Sequence, residues 1–251
     1  MSQLNCLSHG GSRYYRDGHL WRPSVTSVVS MVAKGEGFTT WLIQNANRAE
    51  QIRREAATRG TALHRACEGL LAGRRVSTRG FDPKDVRALQ HFVRLCEQAK
   101  LEPLATEHAV VSAEPAPLGY AGTFDARVRF GATIDTRNGQ VIEQGEIVIV
   151  DLKSGSGPYA EQEMQVSAYC YASGTPAGAL LFLRERGLCL HRADVEKWWW
   201  GFQACHELFC LLHPEQPVVT PPLPAFVEPP NMTEIIITEA TTPQGEYCKQ
   251  P

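Results

Sequence analysis

Ile147-Val148-Ile149-Val150-Asp151-Leu152-Lys153 is a continuous apolar run that ends abruptly in charge. A run of β-branched residues of this length marks a buried strand. Side chains on a strand alternate between faces, so Asp151 and Lys153 share one side while Leu152 points back into the core. The segment from Pro158 to Ala172 that follows reads as a helix, and Gln165 and Tyr169 lie four apart on one of its faces. The strand end therefore presents a carboxylate and an ammonium side by side, with two polar side chains close behind in the chain.

Working upstream, Phe124, Ala126, Val128 and Phe130 alternate with Thr123, Asp125, Arg127 and Arg129, the period-two pattern of a strand with one face buried. Asp125 falls on the polar face. Asn138-Gly139 signals a tight turn, so this strand is expected to fold back through Val141 and Ile142 as an antiparallel hairpin. A two-residue turn would pair Arg137 with Gln140 and place Asp125 opposite Leu152, one residue out of step with Asp151. A bulge or a longer loop must absorb that residue to bring the two carboxylates to one point, and Gly145 is the expected place for it.

Further upstream, residues 50–71 read as a long helix with Leu63, Cys67, Leu70 and Leu71 as its apolar stripe. His64 and Glu68 are four apart on an adjacent face. Eight arginines lie between Arg48 and Arg79, against Glu50, Glu55 and Glu68. Singly such arginines are solvated; as a group beside His64 they could track a phosphate backbone.

An oxygen ligand for a hard divalent cation beside a positive group is what metal-assisted phosphodiester hydrolysis requires. In chain order, Gly60-Thr61-x-x-His64, Gly119-Tyr120-x-Gly122-Thr123-x-Asp125, Asp151-x-Lys153 and Gln165-x-x-x-Tyr169 resemble the RecB-type branch of the PD-(D/E)XK nuclease superfamily. Pro23-Ser24-Val25-Thr26-Ser27-Val28, with Trp41 downstream, is similar to the opening of phage-type exonucleases of this branch and of the mitochondrial genome maintenance exonuclease. The resemblance runs from about Pro23 to Leu212. It implies an α/β restriction-endonuclease-like core, a central mixed sheet flanked by helices. It further implies that His64, Asp125, Asp151 and the Leu152 carbonyl ligate Mg²⁺ or Mn²⁺, and that Lys153 positions or activates the attacking water. Gln165 and Tyr169 would contact the DNA backbone or brace the site, with Arg59 and Arg65 as further DNA contacts. Glu68 and Glu107 would stand behind the first ligands or serve a second metal. A histidine among oxygen ligands tilts selection toward Mn²⁺.

The implied activity is that of a metal-dependent deoxyribonuclease, an exonuclease in DNA recombination, repair or phage DNA processing. The alternatives are an endonuclease working with a helicase or integrase partner, and a catalytically silent module that binds DNA ends. DNA is the expected partner. The net charge of −2 means that any affinity for it must come from local clusters such as the arginine helix.

At 251 residues and 43% hydrophobic content, the chain supports a sizeable core. No apolar run approaches the length of a membrane helix and no signal-peptide hydrophobic region is seen, so a cytoplasmic location is expected and the eight cysteines read as reduced thiols. Some relatives bind an iron–sulfur cluster through one upstream and three downstream cysteines. Cys6, Cys205, Cys210 and Cys248 match in order, but their spacing argues against a cluster.

Three regions are expected: residues 1–22 without clear periodicity and partly mobile, residues 23–213 as the nuclease domain, and residues 214–251 as an arm or tail. That last stretch has nine of the sixteen prolines, which excludes a continuous helix or central strand and suits contact with a protein partner or a second copy. Within the domain, helices are expected at 25–33, 39–47, 50–71, 82–100 and 194–212, and strands near 106–111, 123–134, 141–152, 179–184 and 188–191. Trp198, Trp199 and Trp200 cannot all share one helical face, so core packing is the expected role of this cluster, ahead of stacking on bases.

Overall fold

The computed structural model describes residues 4–32, 35–155, 157–215 and 217. The chain divides into two units, 1–219 and 220–251; the described residues belong to the first, and most of the expected proline-rich arm lies outside them. The centre of the first unit is a mixed five-stranded sheet in the order β10-β9-β8-β5-β4. Its strands are β4 (Glu102–Ser112), β5 (Tyr120–Arg129), β8 (Ile147–Lys153), β9 (Ala177–Phe182) and β10 (Cys189–Arg192). Only β8 and β9 are parallel. Their crossover is the helix α5 (Ala160–Ser173), as a parallel neighbour requires.

Helices cover both faces of the sheet. On one side α5 packs with α6 (Val195–Leu212) and the short α1 (Val25–Val29), around Tyr120, Phe124, Ile149, Leu180 and Phe202. On the other side α3 (Ala49–Leu71) and α4 (Pro83–Gln98) close over Ala126, Val128, Val150, Leu152 and Leu181. The short α2 (Glu36–Gln44) has no buried residue. Asp82 caps α4 by accepting from the Lys84 N–H, with Pro83 in the first turn. Trp199 stacks on Tyr171 with ring centroids 4.1 Å apart, while its neighbour Trp200 is 69% exposed, as the helical rotation demands.

Residues before Pro23 differ from the expectation of a featureless segment. They form a three-stranded antiparallel sheet of β1 (Cys6–His9), β2 (Ser12–Asp17) and β3 (Leu20–Pro23). Its two turns are Gly10-Gly11 and Gly18-His19, and all three of these glycines have positive φ. Tyr14 anchors the sheet, fully buried against Phe209 of α6. The glycine-bearing turns were the legible signal, masked by short strands with little apolar content.

The hairpin register also differs from expectation. Ala126 pairs with Val150 and Arg129 with Ile147, while Ile134 pairs with Ile142 in the small ladder of β6 (Ile134–Asp135) and β7 (Val141–Ile142). The turn holds three residues, 137–139, because Thr136 bonds Gln140 and Gly139 takes the left-handed conformation at φ +75°. That extra residue supplies the one-residue correction assigned to Gly145. The expected bulge at Gly145 is also present: at φ +87° its N–H donates to the Phe130 carbonyl while the Phe130 N–H donates to the Glu146 carbonyl, so two residues face one. Four residues separate the ladders on each strand, 130–133 and 143–146, so this bulge is compensated and the net register is set at the turn.

Candidate active site

With this register, Asp125 and Asp151 are the next pair beyond Ala126 and Val150. The two strands part there. In the β5–β8 ladder the even-numbered residues are the ones whose backbone groups face the partner strand, as where the Phe130 N–H donates to the Glu146 carbonyl. The Leu152 N–H should therefore meet the Phe124 carbonyl. Instead it donates to Asp125 Oδ2 at 2.7 Å, so a carboxylate stands where a backbone acceptor would be. The Leu152 carbonyl turns toward the same gap, since N–H and C=O of one strand residue point the same way.

β5 also changes faces at this point. Phe124 packs with the α5–α6 layer and Ala126 with the α3–α4 layer. The neighbouring strand kinks alongside: Glu107, across from Asp125 in the β4–β5 register, sits at φ +45°, a region non-glycine residues occupy only under strain. Asp125 can thus reach toward both layers, and its Oδ1 accepts from His64 Nδ1 of α3 at 3.1 Å.

On the α5 side, Lys153 Nζ forms an ion pair with Asp151 Oδ2 at 2.6 Å. The ammonium donates to Gln165 Oε1 at 2.9 Å, and Gln165 Nε2 donates to Tyr169 Oη at 3.1 Å. Gly122 makes this chain possible. A Cβ there would stand 2.7 Å from Tyr169 Cε1.

The charges of the site are mutually perturbed. Burial pushes the Asp151 carboxyl above the usual range; Lys153 pulls it down and Asp125 pushes it up again. Burial alone would lower the His64 imidazole, but the hydrogen bond and charge of Asp125, with Asp151 behind it, raise it above its ordinary value. Glu107 is raised by burial and then by the charges of Asp125 and Glu68.

The remaining expected residues are distributed unevenly. Glu68, Glu107 and Arg65 line the cleft over Asp125 with His64, although Glu68 also pairs with Arg74 at 3.2 Å. Arg59 is held elsewhere, bidentate on the buried Asp85 of α4. Of the four cysteines weighed for a cluster, Cys205 packs on Met164, Cys210 lies against His206, Cys6 is exposed on β1, and Cys248 is outside the described residues. Sequence reading missed Arg13 and Tyr15 of β2, which form the cleft wall opposite α3.

No three His, Cys, Asp or Glu side chains among the described residues are placed as a ready metal clasp. The donors nonetheless suit a hard divalent cation: the carboxylates of Asp125 and the buried Asp151, with the His64 imidazole against Asp125. Asp125 and Asp151 repel one another across the strand gap, a strain that a cation would relieve.

The chain is a mixed α/β protein with a central five-stranded sheet flanked by helices, carrying paired acidic residues, a lysine and a histidine where one hairpin parts. No protein family model matches it, and no curated protein matches it in sequence. Among solved structures it is similar to SSO0001, with a TM-score of 0.33 and 14% identity over 51% of this chain, spanning 58% of that one. It is also similar to an alkaline exonuclease, LHK-Exo, from Laribacter hongkongensis, with a TM-score of 0.32 and 12% identity over 76% of this chain and 91% of that one. These loose overlaps carry no argument about the site. No helix among the described residues is long and apolar enough to cross a membrane.

Proposed function

We propose that the chain is a divalent-metal-dependent deoxyribonuclease of the PD-(D/E)XK type, acting as an exonuclease in DNA recombination, repair or phage DNA processing. The observation that carries this reading is the pairing of Asp125 with Asp151 at the parting of β5 and β8, with Lys153 against one and His64 against the other. His64, Asp125, Asp151 and the Leu152 carbonyl would hold Mg²⁺ or Mn²⁺. Such a cation polarises a phosphate and lowers the pKa of bound water.

The chain's own residues supply the rest. Lys153 places a positive charge beside the scissile phosphate and orients the attacking water. Gln165 fixes that ammonium and Tyr169 fixes Gln165, so the pair act as a brace behind the lysine. Arg65, on the same cleft wall as His64, is the α3 arginine placed to meet the DNA backbone.

A second reading is favoured by one observation. The site's donors are already engaged pairwise, His64 with Asp125 and Lys153 with Asp151, as a silent DNA-end-binding module would keep them. Incubating 5′- and 3′-labelled single- and double-stranded DNA with Mg²⁺, Mn²⁺ or EDTA separates the two. The nuclease reading expects metal-dependent cleavage that Asp125→Ala and Asp151→Ala each abolish, with little loss of DNA binding. DNA binding without cleavage under any metal supports the silent module.

A further inference from the structure

The cleft over Asp125 measures ≈ 640 Å³ and has two unlike walls. One is the face of α3 carrying Thr61, His64, Arg65 and Glu68, spaced by three and four residues. The other is the three-stranded sheet of residues 6–23. On β2 the side chains alternate, so Tyr14 is buried while Arg13 and Tyr15 turn together toward the cleft. A second groove of ≈ 940 Å³ continues from it along β1, β2 and β4, and Arg13, Tyr15, Glu107 and Thr123 line both.

Arg13 is poised for an anion. Its backbone N–H is spent on Ser27 Oγ, and among the described residues its guanidinium donates only to the Thr26 hydroxyl, at 3.2 Å. Among the described residues no carboxylate lies within 4 Å of it. Tyr15 and His108 give the continuing groove two aromatic rings, and His108 is steadied by Phe124 at 5.5 Å between centroids. An unpaired cation beside accessible aromatic rings suits single-stranded nucleic acid, whose bases offer free π-faces; a duplex keeps those faces stacked.

We propose that β2 is a single-strand guide: Arg13 binds a backbone phosphate next to the scissile one, and Tyr15 stacks on an unpaired base as the strand continues along β2 toward His108. This rests on the nuclease reading for the place of the scissile phosphate, and deepens it by naming an unpaired strand as the occupant.

The test is binding of a fluorescein-labelled ten-nucleotide oligo(dT) in EDTA, followed by anisotropy over a range of salt, with a labelled duplex in parallel. The guide predicts tighter binding of oligo(dT) than of duplex. Arg13→Ala should weaken it about tenfold and reduce the salt dependence by roughly one phosphate contact, with Arg13→Lys recovering most of the loss. Tyr15→Ala should weaken binding while Tyr15→Phe retains it, and thermal melting should show each variant folded. Unchanged affinity and salt slope in Arg13→Ala and Tyr15→Ala, or no preference for the single strand, would overturn the guide. Cleavage assays keep the two proposals apart. Metal-dependent cleavage with variants that bind normally sinks the guide alone, whereas variant-sensitive binding without cleavage sinks the nuclease reading and with it the scissile phosphate, leaving β2 as a single-strand binding surface.

Discussion

Gly122 is a glycine because Tyr169 occupies the space its side chain would fill. Gly122→Ala should cost about 1–3 kcal/mol by forcing the ring away, measurable by denaturant unfolding. The displaced Tyr169 would release Gln165 and, through it, Lys153. Gly119, three residues earlier, meets a harder limit: it sits at φ +60° and an added Cβ would fall 2.1 Å from the Ser112 carbonyl. Both glycines of the Gly-Tyr-x-Gly motif thus have a steric cause that spacing alone does not disclose. For Lys153 the expectation is functional: Lys153→Ala should lower the cleavage rate by ~10² or more, since it removes charge aimed at the reacting phosphate. Metal affinity measured by calorimetry should change little, because the ammonium is no ligand.

At the scale of elements, the strand and helix types of the central sheet were legible because their periodicities are strong. The register was not. A turn of two residues and one of three share the same Asn-Gly signal, and a slip of one residue transfers every side chain to the opposite face. What settles it is the Thr136–Gln140 closure, which needs the left-handed Gly139. The α3 arginines show a different limit: sequence marks a charged face but not which charges are already spent. Arg59 clamps α3 to α4 through Asp85, which is 3% exposed. Arg59→Ala should destabilise the fold by about 1–3 kcal/mol by leaving that carboxylate without donors, the lower end applying because the guanidinium is partly exposed. The double variant Arg59→Ala/Asp85→Ala should recover part of the loss in melting temperature.

The whole molecule is tied together by contacts far apart in the chain, and this is where sequence said least. The His206 ring of α6 is 1% exposed and donates from Nε2 to the Gly119 carbonyl at 2.8 Å, joining the last described helix to the start of β5. Burial lowers its pKa, outweighing that hydrogen bond. The unfolded chain therefore takes up the proton first, so stability present above the ordinary imidazole value of about 6.5 is lost as the pH falls through it toward the depressed folded value. His206→Gln can keep the donor without titrating, and its melting temperature should decline less than that of the wild type between pH 8 and pH 5. The N-terminal sheet is likewise a whole-molecule feature. Its strands are too short to declare themselves; the burial of Tyr14 against α6 and the hydrogen bond from Arg22 to the Leu118 carbonyl make them part of the fold.

The change of face in β5 at Asp125 has a mechanical meaning. Each of the two side-chain layers is close-packed and resists internal deformation, so relative movement concentrates where they join. Asp125 is on that join, hydrogen-bonded to His64 from one layer, while Lys153, Gln165 and Tyr169 belong wholly to the other. A wedge entering between α3 and β5 would lengthen the His64–Asp125 contact and leave the lysine brace as it is. The site can therefore widen on the His64 side, loosening the hold of Asp125 on the imidazole, while the lysine stays fixed in place.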